Sequence, residues 1–186
     1  MTISNKIFDS WLVVQCQSGD EKGMTLLVKR WHMKFCKHAY YYTKDLDSAK
    51  DVAQDSWSII MKRIGSLKDT NKFGSWAMAI VTRKSIDWLR KRKKETTQKE
   101  LYHDNATIIS SDDFVEDSEN DLILMRQLIA RLPKEQQLVL TFFYMEEFTI
   151  NEISGILKVP SGTVKSRLFK AREKLKQSLK NRNYEK

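Results

Sequence analysis

The stretch FTINEISGILKVPSGTVKSRLFKAREKLKQSL, from Phe148 to Leu179, limits the fold more than any other part of the chain. Thr149 and Glu152 have the spacing of a capping box, in which each side chain satisfies a backbone N–H near the other. The box contributes about 1 kcal/mol and opens a short helix carrying Ile150, Ile153, Ile156 and Leu157. Val159-Pro160-Ser161-Gly162 then breaks that helix. A longer helix follows, with Ser161 predicted as its N-cap and Val164, Leu168, Ala171, Leu175 and Leu179 as its buried seam. A short helix, a tight turn and a longer basic helix make a helix-turn-helix, whose second helix fits the major groove of DNA. Its outward face reads Lys165, Ser166, Phe169, Lys170, Arg172 and Lys176. Lys165 and Ser166, near its start, are placed for base edges, and Lys170, Arg172 and Lys176 for phosphates. Phe169 is the exception on a wet face, and a thymine methyl or a sugar edge would account for it. The plain alternative is a basic amphipathic helix with no DNA role.

The rest of the chain is expected to be helical too. Six Gly and two Pro punctuate 186 residues rich in Leu, Lys, Ile, Glu, Gln and Met, so long helices joined by few loops are the default. A hydrophobic share of 41% suffices for one or two compact domains. No stretch approaches the roughly 20 consecutive apolar residues of a membrane helix, and the N-terminus lacks a signal-peptide layout. The expected location is therefore the cytoplasm, without membrane insertion. Cys16 and Cys36 form no CxxC pair, which excludes a disulfide framework and a cysteine-only zinc site.

Charge divides the chain. Residues 1–94 balance at +10, residues 95–121 at −8 and residues 122–186 at +7, within a formal net charge of +9. The acidic stretch is also where Ser, Thr, Asp and Asn cluster and helical periodicity lapses, which predicts a linker between two basic helical domains, 1–94 and 122–182. A tether of this sign would be repelled by a polyanion or would lie over a basic surface as its decoy.

In the first domain, helices are predicted over Phe8–Gln17, Glu21–Tyr42, Asp47–Ile64 and Ser75–Lys93. In the third, Ala49, Val52, Ala53, Ser56, Ile60 and Ile64 share one face, and Asp47, Asp51, Gln54, Asp55 and Ser58 the other. That acidic stripe is a solvated face or a docking surface for a basic partner, and the pattern leaves both open. A metal site is disfavoured, because no His or further carboxylate lies near to complete one. The fourth helix ends in a basic run, with Arg83, Asp87, Arg90, Lys91 and Lys94 on one side, as for a nucleic-acid surface. Before it, SLKDTNKFGS has the content of an exposed loop suited to clasping an unstacked base. Trp76 and Trp88 are core residues or stacking platforms, with core favoured for Trp76. His32 and Cys36, at i and i+4, are a helix-packing pair rather than a metal site, and Tyr40, Tyr41 and Tyr42 are a helix end packed on its neighbours.

Both halves together resemble the bacterial RNA polymerase sigma factors of the small, two-domain extracytoplasmic function group. AKDVAQDSWSIIMKRI is similar to the region-two helix that docks on the polymerase clamp, and FGSWAMAIVTRKSIDWLRKRKK to the helix that opens and reads the minus-ten element. LPKEQQLVLTFFYMEEFTINEISGILKVPSGTVKSRLFKAREKL matches the region-four pattern, with GTVKSRLFKAR its most diagnostic string. The resemblance implies an all-α fold of two helical domains. It places Asp47, Asp51, Gln54 and Asp55 against the clamp helices, with region four on the polymerase flap. The loop Leu67 to Ser75 would capture a flipped minus-ten base, and minus-ten contacts would come from Lys68, Asn71, Lys72, Phe73, Trp76, Arg83, Lys84, Arg90 and Lys91. Minus-thirty-five contacts would come from Ser161, Thr163, Lys165, Ser166, Arg167, Phe169, Lys170 and Arg172. Family members often carry Asn at the position of Arg83 and Arg at that of Ala79, so this chain departs from the pattern at both. An anti-sigma factor is an implied partner.

No nucleophile–base pairing, P-loop or metal cluster emerges from the spacing, so no cofactor and no enzyme activity are expected. The main rival is a regulator that uses the helix-turn-helix on duplex DNA without polymerase. A second rival is a nucleic-acid enzyme holding a divalent ion on Asp47, Asp51 and Asp55.

Overall fold

The computed structural model describes residues 3–96 and 119–183. Every regular element among them is helical: α1 (Ile3–Gln17), α2 (Glu21–Thr43), α3 (Leu46–Arg63), α4 (Phe73–Thr96), α5 (Glu119–Ala130), α6 (Lys134–Leu140), α7 (Ile150–Leu157) and α8 (Ser161–Asn183). Short 3₁₀ turns at Ile64–Ser66 and Thr70–Lys72 lie between α3 and α4, and a π-wound turn, Thr141–Met145, extends α6. The chain divides into two compact units, one reaching Ile108 and one beginning at Ile109. Of the predicted linker, the described ends are helical, since α4 runs to Thr96 and α5 starts at Glu119. Residues 97–118, which carry most of its acidic side chains, lie outside the described residues, and so does the decoy expectation attached to them.

In the first unit, α2 is the hub, packing on α1, α3 and α4. Asp20 caps α2 by accepting from the Lys22 N–H, and Asp45 caps α3 by accepting from that of Ser48. Gly23 permits the close approach of α1: a Cβ there would stand 2.9 Å from the Gln15 Cβ. The core is aromatic. Trp31 and Phe35 of α2 meet Phe73 of α4 and Trp57 of α3, with ring centroids 5.6 and 4.9 Å apart. Ala49, Val52, Ala53, Ser56, Ile60 and Ile64 are all buried, as their spacing predicts. His38 is buried as well, joining α2 to Thr82 of α4 through a 2.8 Å hydrogen bond from Nε2 to Oγ1.

In the second unit, α8 packs on α5, α6 and α7. Gln137 Nε2 donates to the carbonyls of Ala130 and Leu132, closing the C-terminal end of α5. The capping box of α7 is present, with Thr149 accepting from the Glu152 N–H and Glu152 from that of Thr149. Lys158, at φ +53°, turns the chain out of α7, and Ser154 Oγ donates to the Val159 carbonyl across the turn. Pro133 stands at the N-cap of α6. One local expectation shifts by a residue. Ser161 is the first residue of α8 rather than its cap, because the Pro160 carbonyl already accepts from the N–H groups of Thr163 and Val164. Val164, Leu168 and Ala171 are buried, while Leu175 and Leu179 line an apolar groove with Met125, Ile129 and Tyr144.

Candidate functional site

Two surfaces of the first unit and one of the second hold the residues that the sequence singles out. On α3, Asp47, Asp51, Gln54 and Asp55 are all exposed along one side. The buried residues on the opposite side fix that face outward, so its carboxylates are presented by a rigid helix. Asp47 pairs with Lys50 at 3.2 Å, and Asp55 with Lys84 of α4 at 3.2 Å. The second pair matters more, since it joins two residues expected in different interfaces.

The loop before α4 is a built structure. Asp69 accepts from the Asn71 N–H and pairs with Lys72 at 3.1 Å; the Lys72 ammonium holds the Asp69 carboxyl below the usual carboxylate range. From α1, Gln17 Nε2 donates to the carbonyls of Ile64 and Leu67, each at 2.9 Å, and the Ser10 hydroxyl shares a hydrogen bond with that of Thr70. These α1 tethers carry no local sequence signal, because their partners lie 47 to 60 residues away. Lys68, Asn71 and Lys72 stand exposed on the loop. Phe73 does not. Only 1% of it is accessible, because it packs edge-on against Trp31, so its expected contact with DNA is corrected to a core role beneath the loop. Trp76 is half-buried, its ring tilted on Phe73.

Along α4, Arg83, Arg90, Lys91 and Lys94 are exposed with Asp87, which stands 3.8 Å from Arg90. Lys84 is half-buried beside Asp55, and Arg92 lies over the Trp88 ring. Cys36 Sγ and His32 Nε2 are 3.5 Å apart, and burial pushes the Cys36 thiol up, away from a reactive thiolate. Among the described residues, no group of three or more His, Cys, Asp and Glu is close enough to share a metal ion.

On α8, Lys165, Ser166, Phe169 and Lys170 are exposed, and Phe169 keeps 65% of its surface accessible. Arg167, Ser161 and Thr163 are half-buried beside this face. Arg172 is exposed too, its guanidinium 5.5 and 5.4 Å from the ring centroids of Phe143 and Tyr144. The π-wound turn that supplies both rings is a second feature without a sequence signal.

Comparison with known proteins accounts for both units. Residues 27–95 match the family described as Sigma-70 region 2, and residues 122–175 match Sigma-70, region 4. The RNA polymerase sigma-H factor of Pseudomonas aeruginosa is 26% identical over 92% of this chain and 93% of its own length. The ECF RNA polymerase sigma factor SigW of Bacillus subtilis is 28% identical over 90% of this chain and 95% of its own. Among solved structures, the sigma factor RpoE of Bartonella quintana, in complex with the anti-sigma factor NepR, shares the fold at a TM-score of 0.65. It is 19% identical, and the match covers 86% of this chain and 98% of that one. Among the described residues, no helix is long and apolar enough to cross a membrane. Region 2 and region 4 follow each other on one chain, and the protein belongs to the sigma-70 family of promoter-directing RNA polymerase factors, in its extracytoplasmic function group.

Proposed function

We propose that this sigma factor recognises two promoter elements through separate units, the minus-thirty-five element through α8 and the minus-ten element through the loop before α4 and the exposed side of α4. The observation that carries this reading is Phe169, largely exposed between Lys165 and Lys170 on the second helix of a helix-turn-helix. An aromatic ring there loses apolar burial unless it meets a partner, and cations on both sides suit that partner to DNA. Loop and α4 then stabilise unpaired strand, so that opening is driven by tighter binding to the open state. The acidic face of α3 is the docking surface for core polymerase. The Bartonella relative was solved with an anti-sigma factor, and a partner of that kind is proposed here too. Residues 1–94 and 122–182 are taken as the two working domains.

Run-off transcription with core polymerase on pooled genomic promoter fragments tests the reading. Start sites that appear only when the protein is added, and that share two spaced elements, support it. Tight duplex binding without core, and no new start sites, would favour the stand-alone regulator. Asp51→Ala with Asp55→Ala is expected to weaken capture of core about tenfold, roughly 1.4 kcal/mol, with promoter preference unchanged. Pull-down of core and start-site mapping measure the two effects separately. Loss of Asp55 also releases Lys84, but a freed cation attracts phosphate whatever the sequence.

A further inference from the structure

A surface helix needs one apolar face, and α1 has two. Leu12 and Val13 are fully buried against the rest of the first unit. Ile7, Trp11 and Val14 lie on the opposite face with Phe8 at its edge, and each of the four keeps between 40 and 60% of its surface accessible. Phe8 stacks on Trp11, with ring centroids 5.7 Å apart and planes 18° from parallel. The Arg30 guanidinium lies 5.0 Å over the Phe8 ring, so both rings are held before anything meets them. Leu26, one turn before Arg30 on α2 and also exposed, extends the patch. These five side chains leave on the order of 500 Å² of apolar surface in one place. Scattered exposed hydrophobics are ordinary, but a contiguous patch of this size marks a place of contact.

We infer that this patch is the contact between two copies of the chain, paired through their α1 helices about a two-fold axis near Trp11. Ile7, Trp11 and Val14 are spaced four and three residues apart, the spacing of a helix-pairing seam. That spacing reads almost the same in both directions. Two such helices laid antiparallel therefore set Ile7 of one copy against Val14 of the other, with Trp11 against Trp11 at the axis, which is the self-complementarity an isologous dimer requires. The area agrees. An interface of standard size takes about 800 Å² from each partner, and homodimer interfaces are about 65% apolar, so roughly 500 Å² of apolar surface is needed per copy. Nor does the contact bury an unpaired charge, since Arg30 at the patch already pairs with Asp9 at 2.7 Å and Asp9 is itself buried. Local charge argues against a lipid surface as the occupant. Residues 3–30 carry four Lys or Arg side chains nearly offset by Asp9, Asp20 and Glu21, which leaves little to draw an anionic bilayer.

The test follows the oligomeric state of the full chain by sedimentation velocity, from low to high micromolar concentration. Wild type is expected to pass from monomer to dimer as concentration rises. Trp11→Glu should raise the dimer Kd by about thirtyfold or more, as for the loss of a central aromatic anchor. A mixture of Trp11→Glu chains with Trp11→Lys chains should dimerise more tightly than either variant alone, because opposite charges then meet at the axis. An unfolded variant could not give that rescue, and its absence overturns the two-fold arrangement. If Trp11→Glu lowers the thermal midpoint, Ile7→Lys with Val14→Lys repeats the comparison at the two ends of the seam. A wild type that stays monomeric at every concentration overturns the inference. So does a dimer whose Kd is unchanged in the variants, since it would use another surface. Monomers that sediment with phosphatidylglycerol vesicles, and lose that binding in Trp11→Glu, also overturn it by reassigning the patch to lipid.

Discussion

Lys165→Ala and Phe169→Ala are each expected to cut initiation from a promoter with an intact minus-thirty-five element by about 5- to 150-fold, the equivalent of 1–3 kcal/mol. Both side chains stand exposed on α8, while Val164, Leu168 and Ala171 hold the helix from beneath. Removing the exposed pair therefore leaves the core intact, and the loss reports contacts rather than folding. The two should differ in kind. A lysine on a base edge also attracts phosphate, so its variant flattens the salt dependence; a phenyl ring on a thymine methyl does not. Initiation rates on matched and scrambled elements, at two salt concentrations, separate these effects. Equal losses on both promoters would show that neither residue reads bases.

Arg172 tests the same surface. The sequence places it on the outward side of α8, among the phosphate-holding cations. In the structure its guanidinium rests over Phe143 and Tyr144. Following a phosphate away from those rings costs about 0.5–1 kcal/mol, an internal competitor against the contact. Its substitution is accordingly expected to cost less than that of Lys165.

Features encoded by neighbours a few residues apart were legible in the sequence. Thr149 and Glu152 form the capping box their spacing predicts, and the α3 seam from Ala49 to Ile64 is buried. Features made by distant partners were not. The loop before α4 reads as polar and exposed, which is right for Lys68, Asn71 and Lys72 and wrong for Phe73. Nothing within the loop indicates that Trp31, 42 positions earlier, completes a pocket for that ring. Gln17 and Ser10 escape a linear reading for the same reason.

His38 gives the first unit a steep response to acid. Thr82 Oγ1 donates its hydrogen to the Met78 carbonyl at 2.8 Å, so it can only accept from His38, which therefore carries a proton on Nε2. Burial pushes the imidazole pKa down from 6.5 to about 3, because a second proton would place a charge in the core. In the unfolded chain the ring protonates near its ordinary value. Between those two values the unfolded state binds more protons, so stability is full above about pH 6.5 and falls as pH drops toward 3. The slope is about 1.4 kcal/mol per pH unit, a loss of roughly 3 kcal/mol by pH 4. All five tryptophans, at 11, 31, 57, 76 and 88, belong to the first unit, so their fluorescence during urea unfolding reports that unit by itself. His38→Gln keeps a donor for Thr82 and cannot be protonated. Its first unit is expected to lose most of the pH dependence between 6.5 and 4.5, whatever its stability at neutral pH. The carboxyls of Asp45 and Asp69, held low by their partners, contribute only at more acid pH and remain in both proteins. An undiminished slope in His38→Gln would show that some other group takes up the proton.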